Sequence, residues 1–166
     1  MVLKKSGVSQ AVRAHLDPKE RPVHTVSTVD GATIAVSPTH VTVVQGDDVQ
    51  LREAWCVFSQ MAWDEGDGLL RFVFIDPGLA PITFTLADAP SLDFLTAARE
   101  GVDSAHVFSA GTKLGNGTAV KSWILRDSHG ELFSLTTASG PIAPGDVAEV
   151  DRLERKTREA AGLDPA

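Results

Sequence analysis

The chain has 166 residues, of which 43% are hydrophobic and 22% are charged. This length and composition are typical of one folded domain and exclude a disordered chain. The formal net charge is −7, although residues 1–21 carry five basic and only two acidic side chains. Because an acidic surface repels nucleic acids and anionic lipids, we expect neither nucleic acid nor membrane as a partner.

We expect neither a secretory signal peptide nor a membrane-spanning segment in this sequence. Polar residues interrupt the N-terminal stretch 8–16, and no apolar run is long enough to cross a bilayer. We therefore expect a cytoplasmic protein. The single cysteine, Cys56, lies in an apolar stretch, which favours a small buried residue over a reactive nucleophile.

The first part of the chain is predicted to be a tail followed by a run of strands. Residues 1–21 are expected to form a tail or a short helix, which Pro18 and Pro22 interrupt. Residues 22–162 are expected to form a single domain. Alternating apolar residues and turn signals such as Asp30-Gly31 predict strands at residues 23–29, 32–37, 40–45, 49–63, 69–75 and 82–86.

The second part of the chain is predicted to contain two helices separated by three strands. A short middle helix is expected from an N-cap at Asp88 to a C-terminal Gly101, and a long C-terminal helix from Pro144 to Gly162. The apolar stripe of the long helix could pack on a sheet face or close a half-barrel. The fold class is therefore α+β, with a mainly antiparallel, curved sheet. The intervening strands are expected at residues 102–109, 120–126 and 132–137.

Two glycine-rich or acidic segments could suggest ligand binding, but turns explain both better. Residues 111–117 contain three glycines, yet a strand rather than a helix follows them, which favours a hairpin loop over a phosphate site. Residues 64–68 are acidic, but Ile75 stands where a calcium loop of the EF-hand type requires a glutamate. We expect no bound metal and no cofactor.

Catalytic signatures are equally weak. The five histidines are scattered and do not have metal-ligand spacing. An enzyme would have to bring together side chains from separate strands, for example His40, His106 and Asp103, and Ser104 near His106 is a weaker candidate. We therefore favour a protein that is not an enzyme.

Two segments carry a resemblance to known proteins. Residues 30–37 (DGATIAVS) and 51–64 (LREAWCVFSQMAWD) resemble a family of uncharacterised small actinobacterial proteins, in which a hairpin precedes a W-x-x-V-x-x-A-x-W-D segment. Thr33 departs from that pattern, which has an aromatic residue there. The resemblance covers residues 22–162 and implies no activity. The positions that match its spacing are Trp55, Val57 or Phe58, Ala62, Trp63 and Asp64.

The same region is similar to bacterial PH-like domains, which combine small antiparallel sheets with a closing helix. The predicted C-terminal helix fits that description. The middle helix and the three strands after it do not, so a different α+β arrangement stays open.

Because the sequence carries no catalytic or metal-binding signature, it favours a non-catalytic binding or scaffolding module for a protein or peptide partner. Trp55 and Trp63 are the predicted interaction residues, because an exposed tryptophan beside a turn is a common interface anchor. The alternative is a small-ligand-binding β fold with an internal pocket. Exposed sheet edges also allow a homodimer.

Overall fold

Four antiparallel strands begin the folded part of the chain, in the spatial order β1-β2-β3-β4. The computed structural model describes residues 8–164, so that residues 1–7 of the predicted tail and residues 165–166 lie outside the described residues. Gly31 and Gly46 adopt positive φ angles in the first and third turns, as the predicted hairpins require. The strands are β1 (His24–Ser27), β2 (Thr33–Val36), β3 (His40–Gln45) and β4 (Asp48–Ala54).

A second antiparallel sheet follows, in the order β5-β6-β7, with the apolar strand β6 at its centre as the sequence predicts. The strands are β5 (Phe58–Asp64), β6 (Leu69–Phe74) and β7 (Ile82–Thr85). The prediction of one continuous strand over 49–63 is wrong, because a 3₁₀ turn at Trp55–Val57 separates β4 from β5. The turn directs Trp55 into the core, where its side chain is 3% exposed.

The two sheets join at one corner. Thr28 and Leu86 form an isolated antiparallel bridge, and the amide of Val29 donates to the Thr85 carbonyl at 2.9 Å. Within residues 8–164 β4 does not pair with β5, so the seven strands form an open arrangement rather than a closed barrel.

Helix α2 (Leu92–Ala105) packs against β1, β2, β5 and the 3₁₀ turn. Its N-cap is Ser91, whose hydroxyl accepts a hydrogen bond from the Phe94 amide at 3.1 Å, and not the predicted Asp88. It does not end at Gly101, and residues 102–105, predicted as strand, are its last turn. The helix buries its apolar face against a core that includes Ile34, Val36, Val41, Val43, Trp55, Phe58, Leu70, Phe72, Phe94, Ala98 and Val102.

A third antiparallel sheet follows α2, in the order β10-β9-β8. Helix α3 (Val147–Ala160) contacts all three of its strands, so the predicted C-terminal helix packs on a sheet face. Helices α2 and α3 each span 14 residues. The strands are β8 (His106–Lys113), β9 (Ala119–Arg126) and β10 (Leu132–Ala138).

The N-terminal segment, here residues 8–21, packs on the first sheet instead of extending away from it. Helix α1 (Gln10–Arg13) places Val12, 1% exposed, against Ala35 and Val44. The fold is therefore α+β with antiparallel sheets, as the sequence predicts. Among the described residues, no helix has the length and apolar character needed to cross a membrane.

Candidate functional site

Trp55, the first predicted interaction residue, is part of the core. Its indole Nε1 donates to the Ser37 carbonyl at 2.8 Å, and its ring lies 6.4 Å from the ring of Phe58 and 6.3 Å from that of Phe72. A side chain that is 3% exposed has little surface to offer a partner. The structure therefore gives Trp55 a packing role.

Trp63, the second predicted interaction residue, is half-buried on β5. It stands opposite the fully buried Leu70 and packs against the main core. The ring presents only part of its surface to solvent, so its role as an interface anchor stays a prediction.

The residues considered for catalysis have separate hydrogen-bond partners. A ring nitrogen of His106 lies 2.8 Å from the Phe58 carbonyl, and the Ser104 hydroxyl donates to the Gly101 carbonyl of its own helix. Asp103 is exposed on α2. Among residues 8–164, no group of three or more His, Cys, Asp or Glu side chains has a geometry that could hold a metal ion.

The two turns with possible ligand patterns are hairpin turns, as predicted. The Asp64 carboxylate accepts hydrogen bonds from the amides of Gly66 and Asp67 at 3.0 and 3.2 Å, and so stabilises its own turn. Gly117, with φ 88°, closes the tight turn between β8 and β9.

A buried ionic cluster ties the N-terminal segment to the first sheet. The Glu20 carboxylate, 5% exposed, lies 2.8 Å from Arg52 Nη2 on β4 and 3.1 Å from His40 Nδ1 on β3. It also accepts hydrogen bonds from the Ser37 hydroxyl at 2.9 Å and the Asp17 amide at 2.7 Å. Each oxygen of this buried charge is therefore satisfied.

The electrostatics of this cluster indicate a fixed ion pair. Burial raises the pKa of Glu20, but the hydrogen bonds from Arg52, the Asp17 amide and Ser37 outweigh it and hold the pKa below its ordinary value. Burial and the charge of Arg52 lower the pKa of His40, although Glu20 acts in the opposite direction. At pH 7 the cluster is an ionised glutamate paired with an arginine beside a neutral histidine, an arrangement suited to structural attachment.

Sequence reasoning missed this cluster because its parts are far apart along the chain. The sequence predicts a tail or short helix for the segment that contains Glu20, and 32 residues separate Glu20 from Arg52. No local pattern links the two residues.

The most accessible binding feature is the free edge of β8, here called the β8 edge and defined by residues 106–113. Within the described residues β8 pairs on one side only, with β9. Val107 and Phe108 on this strand are 42% and 43% exposed, unusually high values for large apolar side chains in a sheet.

The composition of the β8 edge leaves it without the usual protection. Edge strands generally carry charges, prolines or bulges that prevent pairing with another chain. Residues 107–112 (VFSAGT) carry no charge and no proline, and the register shift between His106 and Phe108 affects only the start of the strand. The backbone from Phe108 onward is therefore available to an added strand.

Other sheet edges are less suitable. Strand β4 carries Asp48, Arg52 and Glu53, and β7 is attached to β1 at the sheet corner. Strand β5 packs against α2. Every residue of β10 is half-buried. The β8 edge is thus the best candidate. Sequence reasoning misses it because the glycine-rich composition of residues 110–118 predicts a loop where the structure has the end of β8.

No protein-family model matches the chain, and neither does any curated protein.

Proposed function

We propose that this protein is a non-catalytic binding module that takes up an extended segment of a partner protein as an added strand along the β8 edge. The observation that carries this proposal is an uncharged run of six residues, 107–112, four of them exposed and two half-buried, on a strand with one free side. Strand addition supplies affinity through main-chain hydrogen bonds and selectivity through alternate side chains.

The side chains around the β8 edge indicate the chemistry of the partner. Phe108 pairs with Ile124 and therefore shares its sheet face, whereas Gly111 pairs with Lys121, on the same face as Lys113. One face thus offers an apolar contact and the other offers two lysines. We expect a partner segment with an apolar residue and an acidic residue on opposite faces, an odd number of positions apart.

The resemblance to PH-like domains stays a prediction. Residues 24–105 support it with a four-stranded and a three-stranded antiparallel sheet packed against one helix. The helix in that position is α2 and not the C-terminal helix expected from the sequence.

The alternative, a small ligand held inside the sheets, is less well supported. The centre of the Phe58 ring lies 5.3 Å from that of Phe72 and 5.1 Å from that of Phe74, and these aromatic contacts fill the space between the sheets. Phe94 from α2 is fully buried in the same core. Space for a ligand lies instead in clefts between elements.

The proposal is tested by selecting displayed 12-residue random peptides against the full chain and measuring the affinity of the enriched peptides by fluorescence anisotropy. Ser109→Glu places a negative charge at an exposed position in the middle of the edge, on the face that takes the acidic residue, and should weaken binding at least tenfold. Thr96→Glu, at an exposed position on α2, makes the same change in charge away from the edge and should bind as the original chain does.

Two results would contradict the proposal. Selection could enrich no peptide, or Ser109→Glu could bind the enriched peptides as tightly as Thr96→Glu does. Sedimentation equilibrium of the free protein detects a homodimer that forms through the same edge, because Ser109→Glu would then convert the dimer to a monomer.

A further inference from the structure

A groove separates the second sheet from the third, here called the junction groove. Its volume is about 290 Å³, near the lower end of the range for small-molecule pockets. The 3₁₀ turn contributes one wall, the end of β6 and the loop after it a second, and β10 a third. Its apolar lining consists of Val57, Phe74, Ile75, Leu79, Phe133 and Leu135.

The apolar lining is partly open to solvent. Leu79 is 51% exposed, whereas Ile75 is 6% exposed and belongs to the cluster that also contains Trp123 and Leu125. The groove therefore has a fixed floor and an accessible mouth. A volume of this size accepts about one ring with a short tail.

The charged groups in the lining are all acidic. Glu53 and Asp76 line the groove, and none of its described lining residues is cationic. The Asp76 carboxylate accepts a hydrogen bond from the Gly78 amide at 2.8 Å through one oxygen. Among residues 8–164, Glu53 has no ion-pair partner. Two carboxylates beside an apolar surface favour a positively charged occupant.

We propose that the junction groove binds a small organic cation, namely a primary ammonium group on one aryl or short alkyl group. The apolar part lies against Phe74, Phe133 and Leu135, and the ammonium group lies between Glu53 and Asp76. This site is separate from the β8 edge, so each can fail without the other.

The reactivity of Cys56 can report occupancy of the groove, because this residue lines the groove and is the only cysteine of the chain. An occupant of the groove shields the thiol from a neutral reagent. Burial raises the pKa of Cys56, and the charges of Asp127 and Glu53 raise it further. Labelling by N-ethylmaleimide at pH 8 is therefore slow enough to follow by intact mass.

The experiment compares three probes of similar shape: 2-phenylethylammonium, 2-phenylethanol and 3-phenylpropanoate. For ligands this small we expect a dissociation constant on the order of a millimolar for the ammonium compound. At 10 mM it should slow labelling about tenfold. The alcohol should bind about fivefold more weakly, and the carboxylate more weakly still.

A double variant separates the contribution of the two carboxylates from that of the apolar lining. Glu53→Gln with Asp76→Asn should abolish the preference for the ammonium compound over the alcohol and leave the protection by the alcohol in place. Asp93→Asn, an exposed carboxylate on α2, is the matched control and should change nothing. Because Glu53→Gln also lowers the pKa of Cys56, each labelling rate is divided by the rate of the same variant without probe.

A third variant keeps the test valid if the double variant does not fold. Leu79→Ala alters a half-exposed wall residue and should weaken all three probes together. The proposal is wrong if no probe slows labelling at 10 mM, or if the three probes protect Cys56 equally.

Discussion

Gly101 lies near the C-terminal end of α2, where the ring of Trp55 packs directly against its backbone. A β-carbon at this position would lie 2.3 Å from Trp55 Cε2. Glycine is usually unfavourable inside a helix, so close approach and not helix propensity explains its presence.

Gly101→Ala should therefore destabilise the protein by about 1–3 kcal/mol, because the added methyl group would overlap the Trp55 ring, whose hydrogen bond to the Ser37 carbonyl and packing against Phe58 and Phe72 oppose a shift. Urea denaturation measures the change. Thr96→Ala, an exposed substitution in the same helix, is the control and should stabilise the protein by up to about 0.5 kcal/mol. A stable Gly101→Ala variant would mean that Trp55 has room to shift.

The contribution of Glu20 to stability also depends on its tertiary contacts, which here are an ion pair and hydrogen bonds. Because its pKa is lower in the folded than in the unfolded protein, its contribution to stability is complete above the ordinary pKa of a glutamate. That contribution is lost as the pH falls through the lower, folded-state pKa.

Glu20→Gln should cost about 1–3 kcal/mol at pH 7, because it leaves Arg52 without its partner while Arg52 keeps part of its solvation. The stability of the variant should also depend less on pH between about pH 5 and pH 3. Urea denaturation across this range measures both effects, with the exposed carboxylate variant Glu100→Gln as control. Parallel pH profiles for the variant and the original chain would contradict this account.

At the scale of elements, the N-terminal segment is an attached unit with its own small core. Val12 of α1, Ala35 of β2 and Val44 of β3 form this cluster on the first sheet. A helix of four residues has no stability of its own, so α1 depends on these contacts.

Val12→Ala should therefore raise the amide exchange rate of α1 about tenfold, with a smaller effect on the central strands β2 and β6. Hydrogen exchange followed by NMR measures both regions in one sample. Val29→Ala, at a position 65% exposed, is the control and should alter neither. Equal acceleration in α1 and the central strands would show that the segment does not open by itself.

At the scale of the whole molecule, residues 24–105 and 106–160 meet through a buried apolar cluster of Ile75, Trp123 and Leu125. The hydrogen bond between His106 and the Phe58 carbonyl joins the same two parts. Apolar contacts of this kind couple the unfolding of the parts that share them.

We therefore predict one cooperative unfolding transition, which also tests the prediction of a single domain over 22–162. Incorporated 5-fluorotryptophan gives separate ¹⁹F signals for Trp55 and Trp63 in the first part and Trp123 in the second. All three should lose their native signals at the same urea concentration. Leu125→Ala, at a fully buried position, should lower that concentration equally for all three and cost about 2–4 kcal/mol. Separate midpoints would indicate two domains.

Features that depend on neighbouring residues can be predicted from the amino-acid sequence of this protein. Alternating valines and threonines between glycine turns predict β1, β2 and β3 closely, because the strand period and positive-φ turns are local properties. The stripe of α3 predicts its bounds for the same reason. These signals together were sufficient for the α+β class.

Features that depend on distant residues are visible only in the folded molecule. Trp55 packs against Gly101 of α2, which lies 46 residues later in the chain. This contact explains both the break between β4 and β5 at Trp55–Val57 and the continuation of α2 through Gly101. The partners of Glu20 and the free side of β8 depend on which strands become neighbours. A local pattern carries no information about such contacts, because they are stabilised by burial and pairing that exist only once the chain has folded.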